Sequence, residues 1–145
     1  MKVVVTRCIS ANVKVDNNVV GKINEGLLVL VGFNTADTEK DIDYIVDKVI
    51  NLRIFNDELG VMNKSALELN KEILSVSQFT LYADTKNGRR PSYINALNSK
   101  DAIKLYESFN KKLSKYLNVE TGVFGADMKV ESINDGPVTI IIESR

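Results

Sequence analysis

Residues 26–33, which read GLLVLVGF, constrain the fold more than any other segment of the 145-residue chain. The run is continuously apolar, too short for a typical helix, and bounded by glycine. These properties indicate a strand whose two faces are both buried. A strand of this kind requires neighbouring strands and helices that cover the sheet.

Segments rich in Val, Ile and Thr predict further strands before and after this run. Residues 2–15 predict a long strand, and the turn chemistry of residues 16–18 lets the chain return over residues 19–23 as a hairpin. Residues 53–64 predict short extended pieces joined by a turn, and residues 134–136 predict a turn between the last two strands. The other predicted strands are residues 72–83, 119–124, 128–133 and 138–143.

Two segments have the periodicity of amphipathic helices instead. The first follows Thr38 and Asp41, which resemble a capping box, and the second runs from about residue 99 to residue 117. The order of the predicted elements is ββ(β)–α–ββ–α–ββ. This order predicts one α+β domain over residues 1–145. Its sheet would be mainly antiparallel or mixed, barrel-like or layered, with two main helices packed on it. The apolar face of the first helix consists of Ile42, Ile45, Val46, Val49 and Ile50.

The chain contains no histidine. This excludes a histidine–zinc site and any Ser-His-Asp or Cys-His couple, and we expect neither a metal nor a cofactor. Lys and Arg number 19, as do Asp and Glu, so the formal net charge is zero. A nucleic-acid partner would therefore have to be held by a local basic patch.

Cysteine usage and hydropathy favour the cytoplasm. Cys8 is the only cysteine, so no internal disulfide can form, and its apolar neighbours predict a buried, inert thiol. No apolar run approaches the ~20 residues of a membrane span, and Arg7 interrupts the only N-terminal candidate for a signal core. We expect no membrane partner.

The segment Ser77-Gln78-Phe79-Thr80 combines two hydroxyls, an amide and an aromatic ring at the end of an apolar strand. Strand alternation predicts that Ser77 and Phe79 face one way, while Gln78 and Thr80 face the other. The segment is either a strand with a solvated polar face or a polar cluster whose backbone N–H groups hold an ester carbonyl.

Residues 134–137, Asn-Asp-Gly-Pro, form either a simple turn or a ligand contact. Gly136 allows the backbone to come close to a ligand, and the bond before Pro137 can be cis at a cost of only ~0.5–1 kcal/mol. Arg7 also has two interpretations. If its guanidinium is buried in the first strand it must pair with backbone carbonyls or a carboxylate, and otherwise it lies on the exposed face.

Two groups of basic residues could bind phosphates or could simply be solvated. Lys86, Arg89 and Arg90 lie in the glycine-containing loop of residues 86–92. A second group lies on the arc of the second helix opposite its apolar face. This group consists of Lys100, Lys104, Lys111 and Lys115.

Taken together, these segments resemble the D-aminoacyl-tRNA deacylase family. SQFTLYADT over residues 77–85 and GPVT over residues 136–139 carry the resemblance, which covers nearly the whole chain without a large insertion. Tyr93 and Val61 depart from the Phe and Lys common in the family. The likeness extends to Arg7, residues 26–30, 53–55, 62–63, 90–92, 121–122, 124, 126–128, Asn134 and Asp135.

The resemblance implies a hydrolase that cleaves the ester between a D-amino acid and the 3′-terminal adenosine of tRNA. It implies a homodimer whose site lies at the subunit interface, where Gly136-cis-Pro137 of one subunit enters the pocket of the other. Ser77, Gln78, Phe79 and Thr80 would line that pocket. Arg7 would orient the Gly-Pro backbone, with Asn134, Val138 and Thr139 in support.

The resemblance allows two mechanisms, with either Thr80 or the ribose 2′-hydroxyl of the substrate as the key hydroxyl. Because the chain has no histidine to activate Thr80, we favour substrate assistance, with N–H groups of Phe79 or Thr80 stabilising the oxyanion. A stiff Gly-Pro backbone would reject L-substrates, tolerate many D-side chains and admit glycine to some extent.

Lys86, Arg89, Arg90, Lys104 and Lys111 are the candidates for contact with tRNA phosphates. Two other functions stay open from the sequence. One is a general small-ester or peptidyl-tRNA hydrolase, and the other is a non-catalytic RNA-binding module on the same fold.

Overall fold

The structure is a computed structural model that describes residues 1–144. Two α-helices, α1 (Glu39–Asn51) and α2 (Ser99–Leu113), and a 3₁₀ helix (Phe79–Tyr82) accompany the strands. No helix among residues 1–144 is long and apolar enough to cross a membrane. The strands are β1 (Lys2–Val15), β2 (Asn18–Ile23), β3 (Gly26–Gly32), β4 (Phe55–Asn56), β5 (Met62–Lys64), β6 (Glu72–Ser77), β7 (Val119–Thr121) and β8 (Lys129–Glu143).

The main sheet is mixed and nearly closes into a barrel, which confirms the predicted α+β class. Its order is β2-β1-β3-β6-β7, and β8 pairs with β1. β3 is antiparallel to β1 and parallel to β6. The barrel nearly closes where β2 meets β7, since a Cβ added to Gly21 would lie 2.5 Å from the Thr121 carbonyl oxygen. Only a residue without a side chain permits this approach.

The central strand and the helices bury the residues that the sequence patterns indicate. Leu27 and Val29 on one face of β3 are fully buried and Leu28 on the other face is buried as well, as expected for a strand covered on both faces. α1 buries the predicted face, and its capping box is confirmed, with the Thr38 N–H donating to Asp41 Oδ2 at 2.8 Å. Phe109 of α2 joins the same core.

Three predicted boundaries are wrong at their carboxyl ends. β6 ends at Ser77 rather than at residue 83, because the Gln78 N–H makes the last bond to β3, at Val31, before the chain coils into the 3₁₀ helix. α2 ends at Leu113 rather than at residue 117, and its last residues continue as hydrogen-bonded turns. β7 ends at Thr121, and a turn follows in which the Ala126 N–H donates to the Val123 carbonyl.

The predicted turn at residues 134–136 is also wrong, because β8 runs as one strand from Lys129 to Glu143. It pairs antiparallel with β1 along most of its length, and the register shifts on either side of Cys8. The Asn-Asp-Gly-Pro segment is therefore an irregularity within a strand, held by a long partner, rather than a reversal of the chain.

Candidate active site

A cavity of about 520 Å³ opens where β3 and β6 end. The end of β3 contributes Val31 and Phe33, and the end of β6 contributes Val76 and Ser77. α2 and the loop between β7 and β8 form the opposite wall. Polar groups at the ends of two parallel strands beside an apolar cavity are a common arrangement for a ligand site. The residues of the opposite wall include Ala102, Phe124, Gly125, Ala126, Asp127 and Met128.

The Ser77–Thr80 segment meets this cavity with three of its four residues. Ser77, Gln78 and Phe79 line it, whereas Thr80 does not. Gln78 Nε2 donates to Thr80 Oγ1. The predicted alternation of faces is wrong beyond Ser77, because the 3₁₀ helix starts at Phe79 and replaces the strand.

The start of this 3₁₀ helix leaves two backbone donors available. Among the hydrogen bonds formed within residues 1–144, neither the Phe79 N–H nor the Thr80 N–H donates to a protein group. This follows from helix geometry, since the first N–H groups of any helical segment lack an internal partner. Such donors at the edge of a cavity can stabilise the negative charge that develops on a carbonyl oxygen.

Three groups that could serve as a base or a nucleophile are poorly placed for that role. Burial raises the pKa of Tyr82 to about 12, although the Asn34 side-chain amide donates to its hydroxyl at 3.2 Å and lowers it in part. The Asp127 carboxylate lies at the cavity rim and is ion-paired with Lys129 at 2.9 Å. Cys8 is fully buried, and burial raises the pKa of its thiol. Residues 1–144 contain no metal-binding group of three or more His, Cys, Asp or Glu side chains.

Arg7 is buried, with only 7% of its surface exposed, and its guanidinium joins three segments. Nη1 donates to the Ile54 carbonyl at 2.6 Å, just before β4. Nε donates to the Asp135 backbone carbonyl at 3.3 Å and lies 3.0 Å from Asp135 Oδ2. The buried charge is thus paired both with a carboxylate and with backbone oxygens, which offsets its desolvation.

Gly136 and Pro137 lie on the exposed side of β8 and do not line the cavity of their own chain. The peptide bond between them is cis, and Gly136 has φ = +115°. A Cβ at Gly136 would lie 2.9 Å from Val138 Cγ2 and 3.0 Å from Arg7 Nη2. Glycine is required here both by conformation and by space.

The other residues predicted around Gly-Pro make polar or apolar contacts on either side of it. Asn134 Oδ1 accepts from Ser132 Oγ at 2.7 Å, and the hydroxyls of Thr139 and Thr6 lie 3.4 Å apart. Val138 packs against the main core. Val138 and Thr139 thus join β8 to the core and to β1 after Gly136, whereas the Asn134 contact lies within β8 itself.

The basic candidates all lie outside the cavity, on exposed surface. Lys86, Arg89 and Arg90 occupy a loop whose base is closed by backbone bonds between Asp84 and Ser92. Lys104 is ion-paired with Asp101 at 3.1 Å, and Lys111 lies in the last turn of α2. The structure therefore separates two basic surfaces, one on the loop and one on the helix.

None of the site residues predicted from the sequence lies on the far wall of the cavity. Phe124 and residues 126–128 belong to the segments that carry the family resemblance, and this was the only available signal for them. Ala102 lies within the predicted second helix, and periodicity alone cannot distinguish a cavity-facing position from a core position.

Comparison with known proteins shows which family has this fold and this cavity. The family described as D-Tyr-tRNA(Tyr) deacylase matches residues 4–143. The chain belongs to this family. It is a D-aminoacyl-tRNA deacylase, a hydrolase that acts on the ester bond of aminoacyl-tRNA.

Two solved structures are similar to this deacylase over their full lengths. A protein described as c-Myc DNA Unwinding Element Binding Protein is 40% identical, with a TM-score of 0.95 and coverage of 100% of this chain and 99% of its own. A probable eukaryotic D-amino acid tRNA deacylase is 17% identical, with a TM-score of 0.86 and coverage of 99% and 98%, and it shares the fold.

Replacing Arg7 tests whether the buried guanidinium holds β8 in place. In Arg7→Lys a single ammonium cannot reach both the Ile54 carbonyl and Asp135, so we expect unfolding in urea to cost ~1–3 kcal/mol less than in the wild type. Arg53→Lys is the matched control, because Arg53 also donates to a backbone carbonyl, at Asn63, but is exposed. Equal losses in the two variants would contradict this role for Arg7.

Proposed function

We propose that this deacylase removes D-amino acids from the 3′-terminal adenosine of tRNA, spares L-aminoacyl esters, and relies on the substrate 2′-hydroxyl to move the proton. The observation that carries the proposal is a pair of adjacent N–H groups, of Phe79 in the cavity lining and of Thr80 next to it, that have no partner within residues 1–144, in a chain without histidine. A site of this kind can stabilise an oxyanion but has no ordinary base to generate a nucleophile.

In the proposed reaction, water attacks the ester carbonyl carbon while the vicinal 2′-hydroxyl accepts a proton from the water and releases its own proton toward the ribose 3′-oxygen. The carbonyl oxygen gains the negative charge and accepts hydrogen bonds from Phe79 and Thr80 N–H. The tetrahedral intermediate then collapses, the bond to the ribose 3′-oxygen breaks, and this oxygen takes up the proton. Each backbone donor of this type contributes ~10²–10³ in rate.

Thr80→Ala separates this mechanism from an acyl-enzyme on Thr80. Its hydroxyl accepts from Gln78 and does not line the cavity, so we expect kcat to fall by less than ~10-fold. Loss of a covalent nucleophile lowers kcat on the order of 10⁶-fold. Thr85→Ala, at an exposed site beyond the 3₁₀ helix, is the control. A covalent acyl group trapped on Thr80 would refute substrate assistance.

Chiral selection requires a rigid barrier. Sparing L-aminoacyl-tRNA calls for discrimination of ~10⁴, or about 5.5 kcal/mol, whereas side-chain packing supplies only ~1–3 kcal/mol. We assign the barrier to Gly136 and Pro137, because Arg7 ties the preceding carbonyl and carboxylate of Asp135 to the core. A barrier that reads only the substituents on Cα would tolerate many D-side chains and would admit glycyl-tRNA to some extent.

This barrier would act in a second subunit. Gly136 and Pro137 are exposed and lie outside the cavity of their own chain, and the apolar side chains of Ile133 and Ile141 on the same strand are 59% and 65% exposed. A homodimer that buries β8 would cover these side chains and bring the Gly-Pro backbone to the partner's cavity. The active site would then be complete only across the interface.

Gly136→Ala tests the barrier directly. The added methyl would meet Val138 and Arg7 at 2.9–3.0 Å in a backbone conformation that L-residues rarely adopt, so we expect kcat/KM on D-tyrosyl-tRNA to fall ~10-fold or more. Gly60→Ala is the control, since Gly60 also has positive φ but has open space around it. Normal activity in Gly136→Ala would show that the barrier lies elsewhere.

Phosphate contacts would come from Lys86, Arg89 and Arg90 on the loop and from Lys104 and Lys111 on α2, all of which are exposed. Contacts with phosphates do not depend on the nucleotide sequence, as is required of an enzyme that acts on many different tRNAs. We place the enzyme in the cytoplasm, where its substrate and a reduced, buried Cys8 are both expected.

The deciding experiment incubates the protein with D-Tyr-tRNA and L-Tyr-tRNA side by side and measures loss of the ester. Faster loss from D-Tyr-tRNA by ~10⁴-fold is the expected result, because the barrier must reject the L-substituent. Equal loss from both would instead favour a general esterase and overturn chiral selection. Loss from neither would overturn the proposed hydrolysis itself.

A further inference from the structure

An exposed aromatic pair borders the cavity. Phe79, which lines the cavity, packs edge-to-face against Tyr93, with ring centroids 5.1 Å apart and an interplanar angle of 67°. The two residues remain 56% and 40% exposed. Aromatic rings of this size are usually buried, so an open pair beside a catalytic cavity calls for a ligand that covers it.

The segment that carries Tyr93 is held at both ends. On one side, Asp84 and Ser92 exchange backbone hydrogen bonds of 2.8 and 2.9 Å. On the other side, the Leu97 N–H donates to the Phe33 carbonyl at 2.9 Å, next to the cavity wall. The aromatic pair is therefore fixed relative to the cavity before any ligand binds, which lowers the entropy cost of binding.

Charge distinguishes the two sides of the cavity. On the Tyr93 side, the loop closed by Asp84 and Ser92 carries Lys86, Arg89 and Arg90, and none of the ion pairs found within residues 1–144 involves these three. The opposite rim carries the Asp127 carboxylate. If one end of a polyanion occupied the cavity, the rest of the polyanion would run across the basic, aromatic side.

We propose that Phe79 and Tyr93 form a stacking surface for the unpaired nucleotides that precede the terminal adenosine of the tRNA. The inference rests on the proposed function, which puts the esterified adenosine in the cavity. The preceding nucleotide then crosses the rim, where its base stacks on the aromatic pair and its phosphates meet Arg89 and Arg90. Exposed aromatic rings interleaved with basic side chains are the recurring solution for single-stranded nucleic acid.

This surface would give the enzyme affinity for the 3′ end as a single strand. Every base has a flat π-face, so stacking does not depend on base identity, and each stack changes affinity by about 5- to 140-fold. The surface would also hold the terminal adenosine in register with the Phe79 and Thr80 N–H groups, because Phe79 belongs to both features.

The test compares two substrates that differ only in the nucleotides beyond adenosine. These are D-tyrosyl-tRNA and 3′-O-(D-tyrosyl)adenosine, assayed with the wild type, Tyr93→Ala, Tyr93→Phe and the control Tyr116→Ala. Tyr116 is a tyrosine with 52% exposure that does not line this cavity. The quantity compared is the factor by which each variant raises KM on each substrate, and the affinity of the trinucleotide CCA is measured in parallel.

We expect Tyr93→Ala to raise KM by a factor about 5- to 140-fold larger on D-tyrosyl-tRNA than on the adenosine ester, and to weaken CCA binding to the same degree. Tyr93→Phe should restore both, since it keeps the ring, and Tyr116→Ala should change neither.

Equal factors on the two substrates would mean that Tyr93 only supports Phe79, and would overturn the stacking surface. Unaltered CCA binding in Tyr93→Ala would overturn it as well. Failure of the wild type to hydrolyse either ester would instead overturn the proposed function, so the two failures are distinguishable.

Discussion

The buried guanidinium of Arg7 is the interaction on which the geometry of β8 depends. A charge removed from water is tolerated only when it is fully paired, and here the partners are the Ile54 carbonyl and both the backbone and the carboxylate of Asp135. Because these partners come from distant segments, β1, the start of β4 and the irregular part of β8 cannot shift independently. The position of Gly136 is thereby set by the core, although Gly136 itself lies on the surface.

Two features determine what chemistry the site can perform: the absence of histidine from the chain and the point at which β6 ends. Without histidine, and with Tyr82 kept protonated, the protein has little means of generating a nucleophile near neutral pH. The protein instead offers backbone donors. β6 ends at Ser77, and in the 3₁₀ helix that follows, the Phe79 and Thr80 N–H groups form no hydrogen bond within residues 1–144. In the proposed mechanism the aminoacyl ester is reactive and brings a vicinal hydroxyl, so the protein would need only to position the ester and to stabilise the oxyanion.

Sequence reasoning succeeded where burial or local hydrogen bonding decides the structure. The apolar run of β3 and the Thr38–Asp41 cap are local signals, and both appear as predicted. It failed where a distant partner decides. The end of β6 depends on Val31, which receives its last bond, and the continuity of β8 depends on β1, more than a hundred residues away in the chain. Phe124 and Met128 on the cavity wall look like ordinary core residues in the sequence.

β8 also explains how a surface feature could act as a precise barrier. An ordinary loop that reached into a neighbouring subunit would yield under contact with the wrong substrate, since loops are mobile. Here Gly136 and Pro137 are flanked by strand residues that pair with β1. The buried Arg7 guanidinium also donates a hydrogen bond to the Asp135 carbonyl, directly before Gly136. In the proposed dimer the same strand would supply both the contact surface, through Ile133 and Ile141, and the barrier. Any displacement of the proposed barrier would then require breaking strand pairing or the dimer interface, and this cost would allow a backbone to reject one enantiomer.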